Sequence, residues 1–139
     1  MQKVQNNCCE LQFISEPDKV RDAVGCLLNF IDGYSPVSEV GSDLKLIFNE
    51  LLFNAIIHGN KEDRTKRVHV QARMINDLLV ATIQDEGPGF DYRQILEYSQ
   101  TKTALFNEHG RGMVLVCGLT DNISFNETGN IIRFEKRLK

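Results

Sequence analysis

The sequence predicts an α+β fold: a mainly antiparallel, mixed sheet with helices packed on one face. Strand patterns come in adjacent pairs and do not alternate with helices, which argues against a parallel α/β sheet. Two stretches in the first sixty residues are rich in apolar positions, and the first repeats them at three and four, the period of a helix with one buried face. At 42% apolar and 25% charged, a 139-residue chain has the composition and length of one soluble globular domain with a real core. No internal repeat, low-complexity segment or domain boundary interrupts residues 1–139, so a single domain is expected.

Residues 8–14 alternate Leu11 and Phe13 with Glu10 and Gln12, the pattern of a half-buried strand. Pro17 and Asp18 open a helix running to about Tyr34, with Val20, Val24, Leu27, Leu28 and Ile31 as its apolar stripe. The segment from Gly33 to Val37 breaks it, and Ser38 or Ser42 can cap the next helix. That helix runs to about His58 and stops at Gly59-Asn60. Residues 44–57 are so apolar that most of its circumference is expected to be buried. After a charged loop at 61–66, residues 67–74 and 78–84 make two strands joined by a tight turn at Asn76-Asp77. A short helix is expected at 92–98, a loop with little pattern at 99–109 and a helix at 113–119. Residues 122–126 and 131–138 close the chain as a hairpin about Thr128-Gly129-Asn130.

Charge and cysteine content remove several function classes. A net charge of −3 is a poor footprint for nucleic acid, and Lys136-Arg137 reads as a solvated strand edge. Cys8, Cys9, Cys26 and Cys117 show no C-x-x-C spacing. The adjacent Cys8 and Cys9 suit neither a zinc knuckle nor an ordinary disulfide, so reduced thiols in a cytoplasm are expected. Met1 to Asn7 is polar, without the apolar stretch of a signal peptide, and no run of about 18 apolar residues offers a membrane span. His58, His69 and His109 have no paired spacing, which argues against a zinc enzyme.

Three short motifs carry the chemistry. Glu50 and Asn54 interrupt the apolar second helix four residues apart, on one face. Such polar groups are costly in an apolar surface, so they call for partners: neighbouring side chains, or a ligand. The ligand reading puts an Asn oxygen on Mg²⁺ and makes Glu the group that takes the proton of an attacking hydroxyl. Asp85 ends a strand, where a carboxylate accepts a hydrogen bond from adenine's amine but none from guanine's carbonyl. Gly87 and Gly89 let backbone approach a base closely, although the same run is also good turn material. Gly110-Arg111-Gly112-Met113 precedes an apolar helix, whose N–H groups and dipole would face a phosphate. A dinucleotide fingerprint, a P-loop and an EF-hand are all missing.

These residues resemble the Bergerat-fold (GHKL) ATP-binding family of gyrase, heat-shock chaperone, histidine kinase and mismatch-repair ATPases. Glu50 to Asn54 looks like the N box, Asp85-x-Gly87-x-Gly89 like the first glycine box and Gly110-x-Gly112 like the second. The closer resemblance, over nearly the whole chain, is to the bacterial anti-sigma factor serine/threonine kinases. Asn54-Ala-Ile-Ile-His-Gly-Asn60, Asp85-Glu-Gly-Pro-Gly-Phe-Asp91, Gly110-Arg-Gly-Met113 and Phe125-Asn-Glu-Thr-Gly-Asn130 carry it.

The resemblance implies a two-layer sandwich of Bergerat type and a kinase that uses Mg-ATP to phosphorylate a serine or threonine of a STAS-type anti-anti-sigma protein. It further implies that the protein binds and silences an alternative sigma factor until partner exchange releases it. Asn54 would hold Mg²⁺, Glu50 would be the base and Asp85 would read adenine in a pocket shaped by Gly87 and Gly89. Gly110, Arg111, Gly112 and Met113 would line the phosphates, beneath an ATP lid at 99–109. Some members carry an arginine just before the second glycine box. Here the approach is Asn107-Glu108-His109, leaving Lys102 and Arg111 as the nearby cations for transition-state charge. Related proteins commonly pair, and the strand bearing Cys8, Leu11 and Phe13 is an expected homodimer edge. Two further readings are a nucleotide-dependent interaction module with phosphotransfer weak or lost, Glu50 arguing against complete loss, and a histidine-kinase-like catalytic domain acting in trans.

Overall fold

The computed structural model describes residues 2–36, 40–89 and 108–138. The expected helix at 92–98, the loop to residue 107 with Lys102, and Ser38 lie outside the described residues. Strands β1 (Gln2–Gln5), β2 (Cys8–Ile14), β3 (Arg67–Ile75), β4 (Leu78–Gln84), β5 (Asn122–Phe125) and β6 (Ile131–Arg137) make one sheet in the order β1-β2-β3-β4-β6-β5. All five pairings are antiparallel, so the described sheet has no parallel part. The α+β class expected from paired strand patterns is what forms.

Alternation on the central strands puts one face inside. Val68, Val70, Ala72 and Met74 of β3, Leu79, Ala81 and Ile83 of β4, and Ile132 and Phe134 of β6 are all buried. Helices α1 (Val20–Asp32), α2 (Gly41–Asn54) and α3 (Glu108–Leu119) join that core through Leu27 and Ile31, Ile47, Phe48 and Leu51, and Val116. Phe48 and Phe134 meet edge-on at 5.5 Å, helix to sheet, a geometry that aromatic rings prefer over face-to-face stacking. The opposite face carries alternating residues such as His69, Gln71 and Thr82, as a one-sided antiparallel sheet should.

Several local expectations are corrected. The polar N-terminal segment forms β1, which pairs from Gln2↔Leu11 to Gln5↔Cys8 through a turn in which Asn6 has φ 56°. A rim strand needs only its backbone ladder, so no apolar pattern announces it. Its presence removes Cys8 and Leu11 from the sheet edge expected for a homodimer. The first helix begins as a 3₁₀ turn at Pro17–Lys19 before α1 proper. Val40, not a serine, stands at the α2 N-cap, without a side-chain cap, and Ser42 lies inside the first turn. On α2 and just beyond it, Phe53 and Ile57 are 37% and 41% exposed, because the sheet, α1 and α3 cover only part of the circumference.

Lys136 is also not at a solvated edge. It points into the helix layer, 9% exposed, and its Nζ donates to the Leu119 carbonyl at the C-terminus of α3, where a cation meets the negative helix end. None of the four cysteines is in a disulfide. No helix among the described residues is long and apolar enough to cross a membrane.

Candidate functional site

Glu50 and Asn54 sit half-buried on α2, on the flank facing α3. The carboxylate of Glu50 packs on the backbone of Gly112: a Cβ built there would lie 2.0 Å from Oε2 and 2.5 Å from Cδ. Asn54 Nδ2 is directed at the Met113 sulfur at 3.7 Å. The second glycine box therefore lies inside α3, in its first turns, and not ahead of a helix as expected. Glycine is a poor residue in a helix interior, by about 1 kcal/mol against alanine. At Gly112 the reason is steric, since any side chain would displace Glu50. The backbone of Gly110 and Arg111 belongs to the same turns.

Beyond Asn54 the helix widens into a π turn over Ala55–Gly59, closed by the Asn60 N–H on the Ala55 carbonyl at 2.8 Å. Such turns are rare, and they recur at functional sites because they re-aim the residues after them. Here the turn delivers Gly59 onto Asp85. A Cβ at Gly59 would fall 2.4 Å from the Asp85 carboxylate carbon. Gly59 has no positive φ, so it is glycine for space and not as a left-handed helix stop. The left-handed residues come two positions on, at Lys61 (φ 53°) and Glu62 (φ 58°).

Asp85 directly follows β4 and is 3% exposed. Its Oδ1 accepts from the Gly87 N–H at 2.8 Å and its own N–H donates to the Asn130 carbonyl at 3.0 Å. Burial pushes its carboxyl above the ordinary value of 3.8, opposed by the Gly87 hydrogen bond and by Lys66. Gly87 approaches Gly59 so closely that a Cβ would meet the Gly59 carbonyl oxygen at 2.0 Å. Gly87→Ala is expected to lower the free energy of unfolding by about 1–3 kcal/mol, the scale of overpacking. A urea midpoint equal to that of the parent protein would refute this contact.

The ending motif at 125–130 is a prop for the first glycine box. Asn126 Oδ1 accepts from the N–H groups of Gly129, Asn130 and Ile131 at 2.9, 3.0 and 3.1 Å, folding a turn in which Gly129 has φ 83°. The Thr128 carbonyl then lies where a Gly89 Cβ would be, 1.9 Å away, and Gly89 itself has φ 101°, open to glycine at little cost. On the other side of Asp85, Glu86 accepts from the Arg67 N–H at 2.9 Å and pairs with His69 Nε2 at 3.0 Å. The His69 hydrogen bond, then that from Arg67, holds the Glu86 carboxyl below its ordinary range.

The fold thus brings together Glu50, Asn54, Gly112 and Met113 at one corner, and Asp85, Gly87 and Gly89 at the end of β4. Lys102 lies outside the described residues. Sequence reading missed Asn60, which is 1% exposed and bonded on every side-chain polar group. A polar residue just past an apolar helix looks like loop, and only the π turn puts it inside.

With the site in view, comparison with known proteins gives a consistent result. The family model for the histidine kinase-like ATPase domain matches residues 13–136. An anti-sigma F factor of Heyndrickxia coagulans is 28% identical over 137 residues, 95% of this chain and 93% of its own. Those of Bacillus subtilis (strain 168) and Clostridium perfringens (strain 13) are 27% and 26% identical, over 79% and 96% of this chain and 78% and 98% of theirs. Because the family model spans nearly the whole chain, this chain belongs to the histidine kinase-like ATPase (GHKL) family, a domain type that binds ATP.

Proposed function

We propose that this protein is an Mg-ATP-dependent serine/threonine kinase and anti-sigma factor of the cytoplasm, acting by partner switching. It phosphorylates a STAS-type anti-anti-sigma protein and sequesters an alternative sigma factor. The observation that carries the kinase half is the convergence of three sequence-distant motifs: Glu50 on Gly112, and Asp85 between Gly59 and Gly87. The anti-sigma F relatives support the partner half.

In this reading Asp85 accepts from the exocyclic amine of adenine while the first turns of α3 face the phosphates. The donors at the corner fit Mg²⁺. Asn54 turns its amide nitrogen to Met113, its oxygen takes no hydrogen bond from a described residue, and a carboxylate stands one helical turn away. Magnesium prefers few protein ligands and completes its shell with water and phosphate. Bound by Asn54, it would neutralise charge on the β- and γ-phosphates. Glu50 takes the proton of the acceptor hydroxyl as that oxygen bonds to the γ-phosphorus. The bond from the γ-phosphorus to the bridging oxygen breaks, and ADP leaves with the electron pair.

Calorimetric titration with Mg-ATP and Mg-GTP, with and without magnesium, tests the pocket. Magnesium-dependent binding that favours adenine is expected. Absence of any binding would move the interaction-module reading ahead of the kinase.

A further inference from the structure

The side chain of Asn60 has no role in the chemistry above, yet it is among the most thoroughly bonded polar groups described. Nδ2 donates to Ser15 Oγ at 2.7 Å and to the Arg67 carbonyl at 3.0 Å. Oδ1 accepts from the Glu86 N–H at 2.7 Å. Ser15, 1% exposed, passes the connection on by donating from Oγ to the Lys66 carbonyl at 2.7 Å. The backbone is held as well, through the Ala55 carbonyl on one side and the Asp63 N–H on the other. The chain then reverses through the left-handed Lys61 and Glu62, a conformation that persists only where its surroundings over-determine it.

Packing alone would be served by any of these bonds. The bond to Glu86 is different, because that N–H belongs to the peptide that follows Asp85. The next N–H along the chain, that of Gly87, binds the Asp85 carboxylate itself. We propose that Asn60 is a positioning residue for adenine recognition, its amide oxygen fixing the Asp85–Glu86 peptide so that the Asp85 carboxylate faces the base at one angle. Ser15 and Arg67 hold the asparagine, and the asparagine holds the reader. The inference rests on the assignment of Asp85 to adenine made above.

The experiment compares the ratio of Mg-ATP to Mg-GTP affinity in the parent protein, Asn60→Ala and Ser15→Ala, together with their thermal midpoints. Asn60→Ala is expected to lose roughly tenfold in that ratio, the scale of one buried hydrogen bond. Ser15→Ala, which leaves the bond to Glu86 in place, should melt earlier and keep the ratio. A parent protein with no preference for ATP overturns the adenine reading and this inference together. A parent protein that prefers ATP, with an Asn60→Ala variant that prefers it equally, overturns the positioning role alone, as does an equal loss in Ser15→Ala. Should Asn60→Ala not fold, amide exchange in the parent protein decides: a slowly exchanging Glu86 N–H is expected, and a fast one refutes the bond.

Discussion

Glu50→Ala is expected to slow phosphoryl transfer by about 10²–10⁴-fold, the scale for a positioned general base, with Mg-ATP affinity little changed. The asymmetry follows from where the carboxylate lies. It rests on Gly112 at the α2–α3 corner, whereas the proposed adenine contact is at the end of β4. Glu50→Gln sharpens the test, since it keeps the shape against Gly112 but cannot accept the proton of a hydroxyl. Single-turnover transfer from labelled ATP to a STAS-type acceptor, beside calorimetry, separates the two effects. If rate and binding fell together, Glu50 would be a structural carboxylate.

Asp85→Asn should act in opposite directions on ligand and fold. Loss of the charged acceptor is expected to weaken Mg-ATP binding by roughly 10- to 100-fold, the range for a hydrogen bond to a charged group. The unliganded variant should nevertheless be the more stable at neutral pH. The carboxyl of Asp85 is raised above 3.8 by burial, so between 3.8 and its folded value the native state holds more proton than the unfolded one. The contribution of this group to stability therefore falls as pH rises through that window, and the full penalty is present above it. Asparagine has no such penalty and can still accept from the Gly87 N–H. The stability gap should close as pH drops through the window, which urea denaturation at several pH values would read. A gap independent of pH would mean that burial of the charge is not its origin.

What could be read from the chain is what depends on period and chemistry. The stripe Val20, Val24, Leu27 and Ile31 became the buried face of α1, and the alternation around Asn76-Asp77 became the β3–β4 hairpin with Asn76 at φ 56°. Glu50 and Asn54 were visible because polar residues stand out in an apolar helix. What could not be read depends on contacts between distant segments. Gly59 looked like a helix stop, but its lack of a side chain answers to Asp85, 26 positions on, and Gly112 answers to Glu50. Lys136 looked solvated because a cation usually is, and nothing local shows that it meets the end of α3. Asn60 was hidden for the same reason: a π turn has no periodic signature.

The clamp on Asp85 also constrains how this pocket can change over generations. A methyl at Gly59 collides with the Asp85 carboxylate, and one at Gly87 collides with the Gly59 backbone, so the three positions are not independent and their substitutions should not add. While Asp85 remains, a methyl at Gly59 has no room beside its carboxylate. A lineage that surrendered Asp85 for a smaller residue would release Gly59, and the first alanine to settle there would fill the space the carboxylate had used. Restoring the aspartate would then require undoing that second change first. Loss of Asp85 is easy to enter and hard to reverse, which is an epistatic ratchet built from one missing side chain.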